Sequence, residues 1–442
     1  MSLTGAMRVS RGSTRRGPGA ARAAQGGTRR GDPKTAPAKK APPAPTHRLG
    51  RGDPGERRRL GDSDLRVSLA CLDASTWTKC GDETQAHAQL SLAVDNGVNL
   101  VHLGSADASR QSASSSSSSA MIFELTRGRA DAYMGSWLRR SRDVRREDLV
   151  LAASVPFGAW VGAVDGGAKG RRRRVKDTVE RMLMSLDTDH VDLLQLHFPT
   201  LDASTMDGHG GDAPNEDEVA ALLDLVSDGK ARFLGVDDDT QWAALETARL
   251  RKTSPQLPTS ASARGEYNLL VRDGFECVLD ELLNDDGGLK GVGLVAHSPL
   301  GRKGSRLSGR AGSGKIQIRS GGSKSERMIT KLERQRGGSN SDAGRLVDAY
   351  EEVAGQFGMS LGELAMGFVR SRWFVTSVSV RGADCDELSS ALASLYDAEV
   401  TADVLGELEA AALRLTLDEE RVGRRRWSQE LYWKIRRVSD VR

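Results

Sequence analysis

From about residue 59 onward the chain alternates between two hydrophobic rhythms. Short apolar runs near 67–72, 98–103, 148–155, 190–197, 231–236, 259–264, 292–297 and 375–380 have the length of buried strands. Between most of them apolar residues recur at helical spacing, over 84–96, 133–138, 176–186, 216–227, 240–249 and 274–283. Two more helical stretches, 345–357 and 361–370, precede the last strand, and 402–415 follows it. Strands joined by helical crossovers run parallel. Eight such units predict an α/β chain folded as a (β/α)8 TIM barrel. The competing architecture, a doubly wound open sheet, places a GxGxxG turn after its first strand. Here that place reads Cys71-Leu72-Asp73-Ala74-Ser75.

The ends of the chain follow neither rhythm. Residues 1–56 are rich in Arg, Lys, Ala, Gly and Pro, and Asp32 is the only acid before Asp53. Such a segment buries too little apolar surface to offset its ordering entropy and is expected to be disordered. It reads as a plastid or mitochondrial transit peptide, or as a plain basic tail on a cytoplasmic protein. With the boundary placed at 56, truncation there is expected to leave the melting temperature almost unchanged. Three inserts read as extended βα loops: the serine run of Ser112 and Ser114–Ser119, residues 166–174 with the Arg171–Arg174 quartet, and the Gly/Ser/Lys/Arg-rich 302–341. Residues 416–442 form a basic C-terminal extension in which Trp427, Leu431 and Ile435 recur at helical spacing among Arg and Lys. Its readings are a helix packed on the barrel, or a docking helix for an acidic protein partner or membrane surface.

Composition narrows the function classes. The 442 residues include 49 glycines and 28% charged residues, with a formal net charge of only +4. No global field draws the chain to nucleic acid, so basic character is local. Four cysteines, Cys71, Cys80, Cys277 and Cys385, lack any CxxC or metal-ligand spacing. No apolar run approaches the ~20 residues of a membrane span.

Several segments, in order and at strand ends, carry a family resemblance. They are residues 60–68 (Leu-Gly-Asp-Ser-Asp-Leu-Arg-Val-Ser), 93–100, and 185–199 ending in Leu196-His197-Phe198-Pro199. Gly229–Val236, Tyr267-Asn268-Leu269-Leu270, His297-Ser298-Pro299-Leu300-Gly301 and Gly382-Ala383 continue the series. Over residues 58–415 the chain resembles an aldo-keto reductase of the longer microbial type, related to potassium-channel β-subunits. The resemblance implies a barrel over 57–415 and an NADP(H)-dependent oxidoreductase site with an Asp, Tyr, Lys and His tetrad. Only His197 matches. The aspartate, tyrosine and lysine positions hold His102, Asp107 and Ser154. The tyrosine protonates the carbonyl oxygen as hydride arrives, the lysine lowers its pKa, and the aspartate holds the lysine charged. General acid catalysis of this kind is worth about 10²–10⁴-fold.

The cofactor positions implied by the resemblance are altered too. Glycines after the first strand align with Cys71 and Asp73, and the Ser-Asn pair that binds the nicotinamide amide aligns with Asp237-Asp238. A glutamine aligns with Arg264, and the nicotinamide-stacking tyrosine with His297, followed by Ser298 and Leu300. Phosphate and adenine contacts fall around Gly382 to Leu388, where Asp384 and Asp386 add carboxylates. Arg381 and, in the 302–310 loop, Lys303, Arg306 and Arg310 remain to meet phosphates. These losses predict an eroded, non-catalytic or divergent barrel that acts by binding, with the new carboxylates repelling the dinucleotide. An active NADPH-dependent reductase using His197 or His102 as proton donor is the alternative. A third reading has His102, His197 and His297 holding zinc or manganese.

Overall fold

Eight parallel strands close on themselves in chain order: Ala70–Asp73 (β3), Leu100–Leu103 (β4), Val150–Pro156 (β5), Val191–His197 (β6), Ala231–Asp237 (β7), Ser262–Glu266 (β8), Gly293–His297 (β9) and Val375–Val380 (β10). β10 completes the circle by pairing with both β9 and β3. The (β/α)8 barrel expected from the alternation is the fold of the protein. This computed structural model describes residues 48–74, 77, 82–104, 118–156, 167–197, 216–237, 260–276, 291–301 and 342–421. The chain divides into units 1–44 and 45–442, and the barrel lies in the second. The expected helix over 240–249, most of the serine run, the 302–341 insert, Cys80, Cys277 and the 424–437 stretch lie outside the described residues, as do Asp107, Asp238, Lys303, Arg306 and Arg310.

Described helices surround the barrel: Glu83–Asp95 (α1), Ser118–Arg140 (α2), Gly167–Leu186 (α3), Glu216–Ser227 (α4), Asp273–Glu276 (α5), Asp342–Gln356 (α6), Leu361–Ser371 (α7), Cys385–Asp397 (α8) and Ala402–Arg421 (α9). Their starts are chemically marked. Asp82 accepts from the Gln85 amide to begin α1, and Ser360 and Glu363 form a reciprocal capping box at α7. The inward faces are apolar, as in α7, where Leu361, Leu364, Ala365 and Phe368 are buried. None of the described helices is long and apolar enough to cross a membrane.

Two expectations change here. The Arg171–Arg174 quartet lies in a helix, not a loop: α3 begins at Gly167. Arginine is a good helix former, and the buried series Val175, Val179, Met182, Leu183, Leu186 sets a helical phase that the charged turn simply extends. Arg172 and Lys176 reach Asp224 on α4 at 2.6 and 3.3 Å, which joins the two helices. Ser118 and Ser119 likewise belong to α2 rather than to a loop. Helix α8, over the suspected phosphate region, was not read from the pattern at all.

The barrel's base is closed by an antiparallel hairpin, Arg57–Arg59 (β1) with Arg66–Ser68 (β2). Its Leu60, Leu65 and Val67 pack with the lowest inward side chains of the barrel, including Cys71, Leu100, Val150, Leu193 and Val295. The packed part of the chain starts before the expected boundary at 56. The Arg48 amide donates to the Ser371 carbonyl at 2.8 Å, Gly50 pairs with Val400, and the Gly52 amide donates to the Tyr396 carbonyl at 2.8 Å. The Arg370 guanidinium in turn donates to the Gly50 carbonyl at 2.7 Å, and the Arg48 guanidinium to the Val375 carbonyl at 2.8 Å. Removing residues 1–56 should therefore lower the melting temperature by about 4 °C or more relative to removing residues 1–47, a change of roughly 1–2 kcal/mol. Thermal unfolding of the two truncated proteins checks this, and equal midpoints restore the boundary at 56.

Candidate active site

Side chains on a strand alternate between its two faces, so residues two apart share a face. Because Cys71, Leu100, Val150, Leu193 and Val295 point into the barrel at its base, that alternation also sends Asp73, His102, Ser154, His197 and His297 inward. Asp237 and Arg264 complete this upper layer at the carboxyl ends of the strands, the end where TIM-barrel sites are built. All seven are 3% exposed or less. Midway down, Gln195 on β6 donates across the lumen to Ser262 on β8 at 3.1 Å. Gly235 on the intervening strand makes room, since a Cβ there would run into both side chains.

Arg264 dominates the upper layer. From β8 its Nη1 donates to Asp237 Oδ1 on the neighbouring β7 at 2.9 Å, and its Nη2 to Asp73 Oδ2 at 2.9 Å. Asp73 sits on β3, which β9 and β10 separate from β8. The second contact therefore crosses the barrel interior. On the far side of Asp237, Ser154 Oγ on β5 donates to Oδ2, again reaching past a strand. His102 Nε2 lies 2.9 Å from Ser154 Oγ and 3.5 Å from Asp237 Oδ2. His197 Nδ1 is bonded to the Asp237 backbone carbonyl at 2.7 Å. Six of the eight barrel strands thus enter one connected web.

The electrostatics follow from burial. Loss of water alone would raise the carboxyls of Asp73 and Asp237, but the Arg264 guanidinium overrides it and holds both well below the usual carboxylate range. Arg264 is correspondingly pushed up by its two carboxylates, against the effect of burial. Burial pushes the Cys71 thiol up to about 12, so it is no thiolate nucleophile at neutral pH. Ser154 Oγ donates to the salt-bridged Asp237 carboxylate, which commits its proton within the cluster. Among the described residues, the buried His102 Nδ1 and Arg264 Nε have no hydrogen-bond partner.

Comparisons with known proteins agree with the barrel. A family model described as the aldo/keto reductase family matches residues 74–412. The chain belongs to the aldo-keto reductase family. It is similar to Protein tas of Escherichia coli (strain K12), at 27% identity over 80% of this chain and 96% of that protein. A probable voltage-gated potassium channel subunit beta of Arabidopsis thaliana is 26% identical over 73% of this chain and 85% of its own length. An L-glyceraldehyde 3-phosphate reductase of Escherichia coli (strain K12) is 24% identical over 64% and 75%.

Members of the aldo-keto reductase family typically use NADP(H), and the described residues are a poor fit to that group. Asp73, Asp237 and Arg264, at positions the resemblance gives to the nicotinamide end, spend their charges on one another. Of the three reasons expected from sequence, crowding, lost amide contacts and repulsion by free carboxylates, the last does not describe Asp73 and Asp237, because both are paired. At His297 the ring lies 3.1 Å from the Ser298 hydroxyl, and Ser298 itself adopts a φ of 51°, held by Asn268 donating to its carbonyl at 3.1 Å. Leu300 packs against the barrel's hydrophobic core.

The phosphate end is also self-satisfied. Asp384 caps α8 through the Glu387 amide at 2.9 Å, and Glu387 accepts from the Ala383 amide at 2.6 Å. These are amides that would otherwise face an anion at a helix start. Gly382 lies directly against the backbone of α8, where a Cβ would meet Leu388. Its carbonyl accepts from Gln89, whose own oxygen accepts from Trp77 at 2.7 Å. Sequence reasoning saw Asp384 as an added charge and missed its capping role, although Asp followed three residues later by Glu is a helix-start signature. Arg381 contributes to holding Asp73 ionised, so its charge is also felt inside the barrel. Among the described residues no group of three or more His, Cys, Asp or Glu is placed to hold a metal ion. His102, His197 and His297 turn instead to Ser154, the Asp237 carbonyl and Ser298.

Breaking a buried ion cluster by removing one partner strands the others. Arg264→Gln should cost about 3–5 kcal/mol at pH 7, read by urea unfolding. Both carboxyls have folded pKa values below their unfolded ones. Their contribution is therefore complete above the unfolded carboxylate range near pH 4 and is lost as pH falls below it. The gap between wild type and Arg264→Gln should narrow from pH 6 to pH 3; a gap that is small throughout, or that widens in acid, contradicts this assignment.

Proposed function

We propose that this aldo-keto reductase barrel does not reduce carbonyls by the tyrosine–lysine route and acts by binding. The observation that supports this is the His102–Ser154 pair, hydrogen-bonded at 2.9 Å at the ends of the second and third barrel strands. The family's aspartate and lysine occupy those two positions, and that pair makes the tyrosine acidic enough to protonate an oxyanion. A serine whose proton is committed to Asp237 supplies no positive charge. The position matched to the tyrosine is itself an aspartate, Asp107. Such groups act as a unit, so their joint loss removes a mechanism rather than trimming a rate.

One observation favours a second reading, an NADPH-dependent reductase with His197 as proton donor. The Asp237 carbonyl fixes the His197 ring through Nδ1, the orientation that a catalytic imidazole needs. The two readings part in one experiment. Titration of the purified protein with NADPH, followed by nicotinamide fluorescence, should give a dissociation constant above roughly 100 μM, weaker than about −5.5 kcal/mol. Turnover on an aldehyde panel should stay below about 1 per second, tenfold under a typical enzyme. Low-micromolar NADPH affinity together with turnover abolished by His197→Asn would establish the reductase instead.

A further inference from the structure

We infer that Asp73, Arg264 and Asp237 form a built-in plug, in which the barrel's own side chains occupy the place of the nicotinamide end of a dinucleotide. This rests on the reading above and names the physical device behind it. Three features carry the inference. The plug spans the lumen, since Arg264 on β8 reaches Asp73 on β3 past two intervening strands. It is sealed, with Asp73 and Arg264 each 1% exposed and Asp237 likewise 1%. It is also chemically closed, because each carboxylate takes one Nη of the same guanidinium at 2.9 Å.

The three residues make sense only together. Asp73 or Asp237 alone in this layer would be a buried, uncompensated carboxylate, and Arg264 alone a buried cation. Each substitution is costly by itself and tolerable in the presence of the others. Ser154 and His102 extend the same logic by filling the second oxygen of Asp237 from the opposite wall. A nicotinamide ring entering here would have to displace an ion cluster buried away from solvent. At the other end of the groove the α8 amides are already spent on Asp384 and Glu387. The barrel therefore has at both ends an internal substitute for the groups that the family draws from its cofactor, and its folded state is complete without one.

The test removes the plug as a unit. The triple variant D73G/D237S/R264Q restores at these positions the residue types that the family resemblance assigns. If the three act together, its melting temperature should lie above that of R264Q alone, despite carrying two more substitutions. Its dissociation constant for NADPH should fall at least tenfold below that of wild type, while R264Q alone should show no gain. A triple variant no more stable than R264Q overturns the unit. A folded triple variant that binds NADPH no better than wild type overturns the plug as the cause of exclusion, and leaves the non-reductive reading standing. Tight NADPH binding by the wild type overturns both.

The neutral triple D73N/D237N/R264Q provides the same stability comparison should the glycine-bearing variant fail to fold. It keeps the shape of both carboxylate side chains and shares the R264Q change with the single variant, while removing all three charges. A midpoint above that of R264Q supports the coupled unit, and a midpoint at or below it refutes the unit independently of any cofactor.

Discussion

A guanidinium taken out of water must be surrounded by its counter-charges, and in this barrel that requirement governs the whole upper layer. Arg264 can be 1% exposed only because Asp73 and Asp237 stand on two sides of it. Two carboxylates against one cation leave one further oxygen on each, and Ser154 satisfies the one on Asp237, which in turn orients His102. The backbone carbonyl of Asp237 holds His197. The positions of four other polar side chains and the orientation of a fifth thus follow from one arginine. Net charge matters little here; geometric pairing decides, since desolvation would neutralise or expel any member left without a partner.

The base of the barrel solves a related problem with backbone instead of carboxylates. Arg370 is buried and donates to the carbonyls of Gly50 and Ala398 at 2.7 and 2.6 Å. Arg58 pairs with Glu56 and donates to the Val375 carbonyl at 3.1 Å. The Arg370 charge costs more here, because burial and the nearby Arg58 draw its pKa down to about 10. These contacts recruit residues 48–56 into the barrel. A composition-based boundary could not find them, because Gly50 and Gly52 join through their backbone atoms and carry no hydrophobic signal.

Hydrophobic rhythm carried the eight strands and most helices, since a buried parallel strand reads as a continuous apolar run and the intervening helices repeat every 3.6 residues. It misjudged α3, whose second turn is a run of arginines without apolar spacing, and it missed α8, whose start is polar. At the site, each departure from the family pattern was visible singly: an acid at 73, an acid at 237, a base at 264. Their pairing was not, because Asp73 and Arg264 are 191 residues apart and on strands that are not neighbours. The available signal was a charge balance. Two acids and one base introduced into a single inward layer have to meet, and alternation along each strand already placed them in that layer.

The same alternation explains how chemistry can change while the fold persists. Along β3, Cys71 belongs to the apolar base and Asp73 to the mouth; along β6, Leu193 and His197 divide in the same way. The lower layer packs with the hairpin, and the outward residues pack against the helices in a separate hydrophobic cluster. Neither contact involves the upper layer, so substitutions there are felt mainly by other members of that layer. Such a layer can exchange a cofactor-binding set for a self-paired set if the exchange is complete, since a partial one leaves a buried charge unmatched. The ion pairing meets that condition: each Arg264 Nη group takes a carboxylate and both oxygens of Asp237 are engaged, while Arg264 Nε has no hydrogen-bond partner among the described residues. The pairing that compensates the buried charges is therefore also what fills the barrel's mouth with its own side chains.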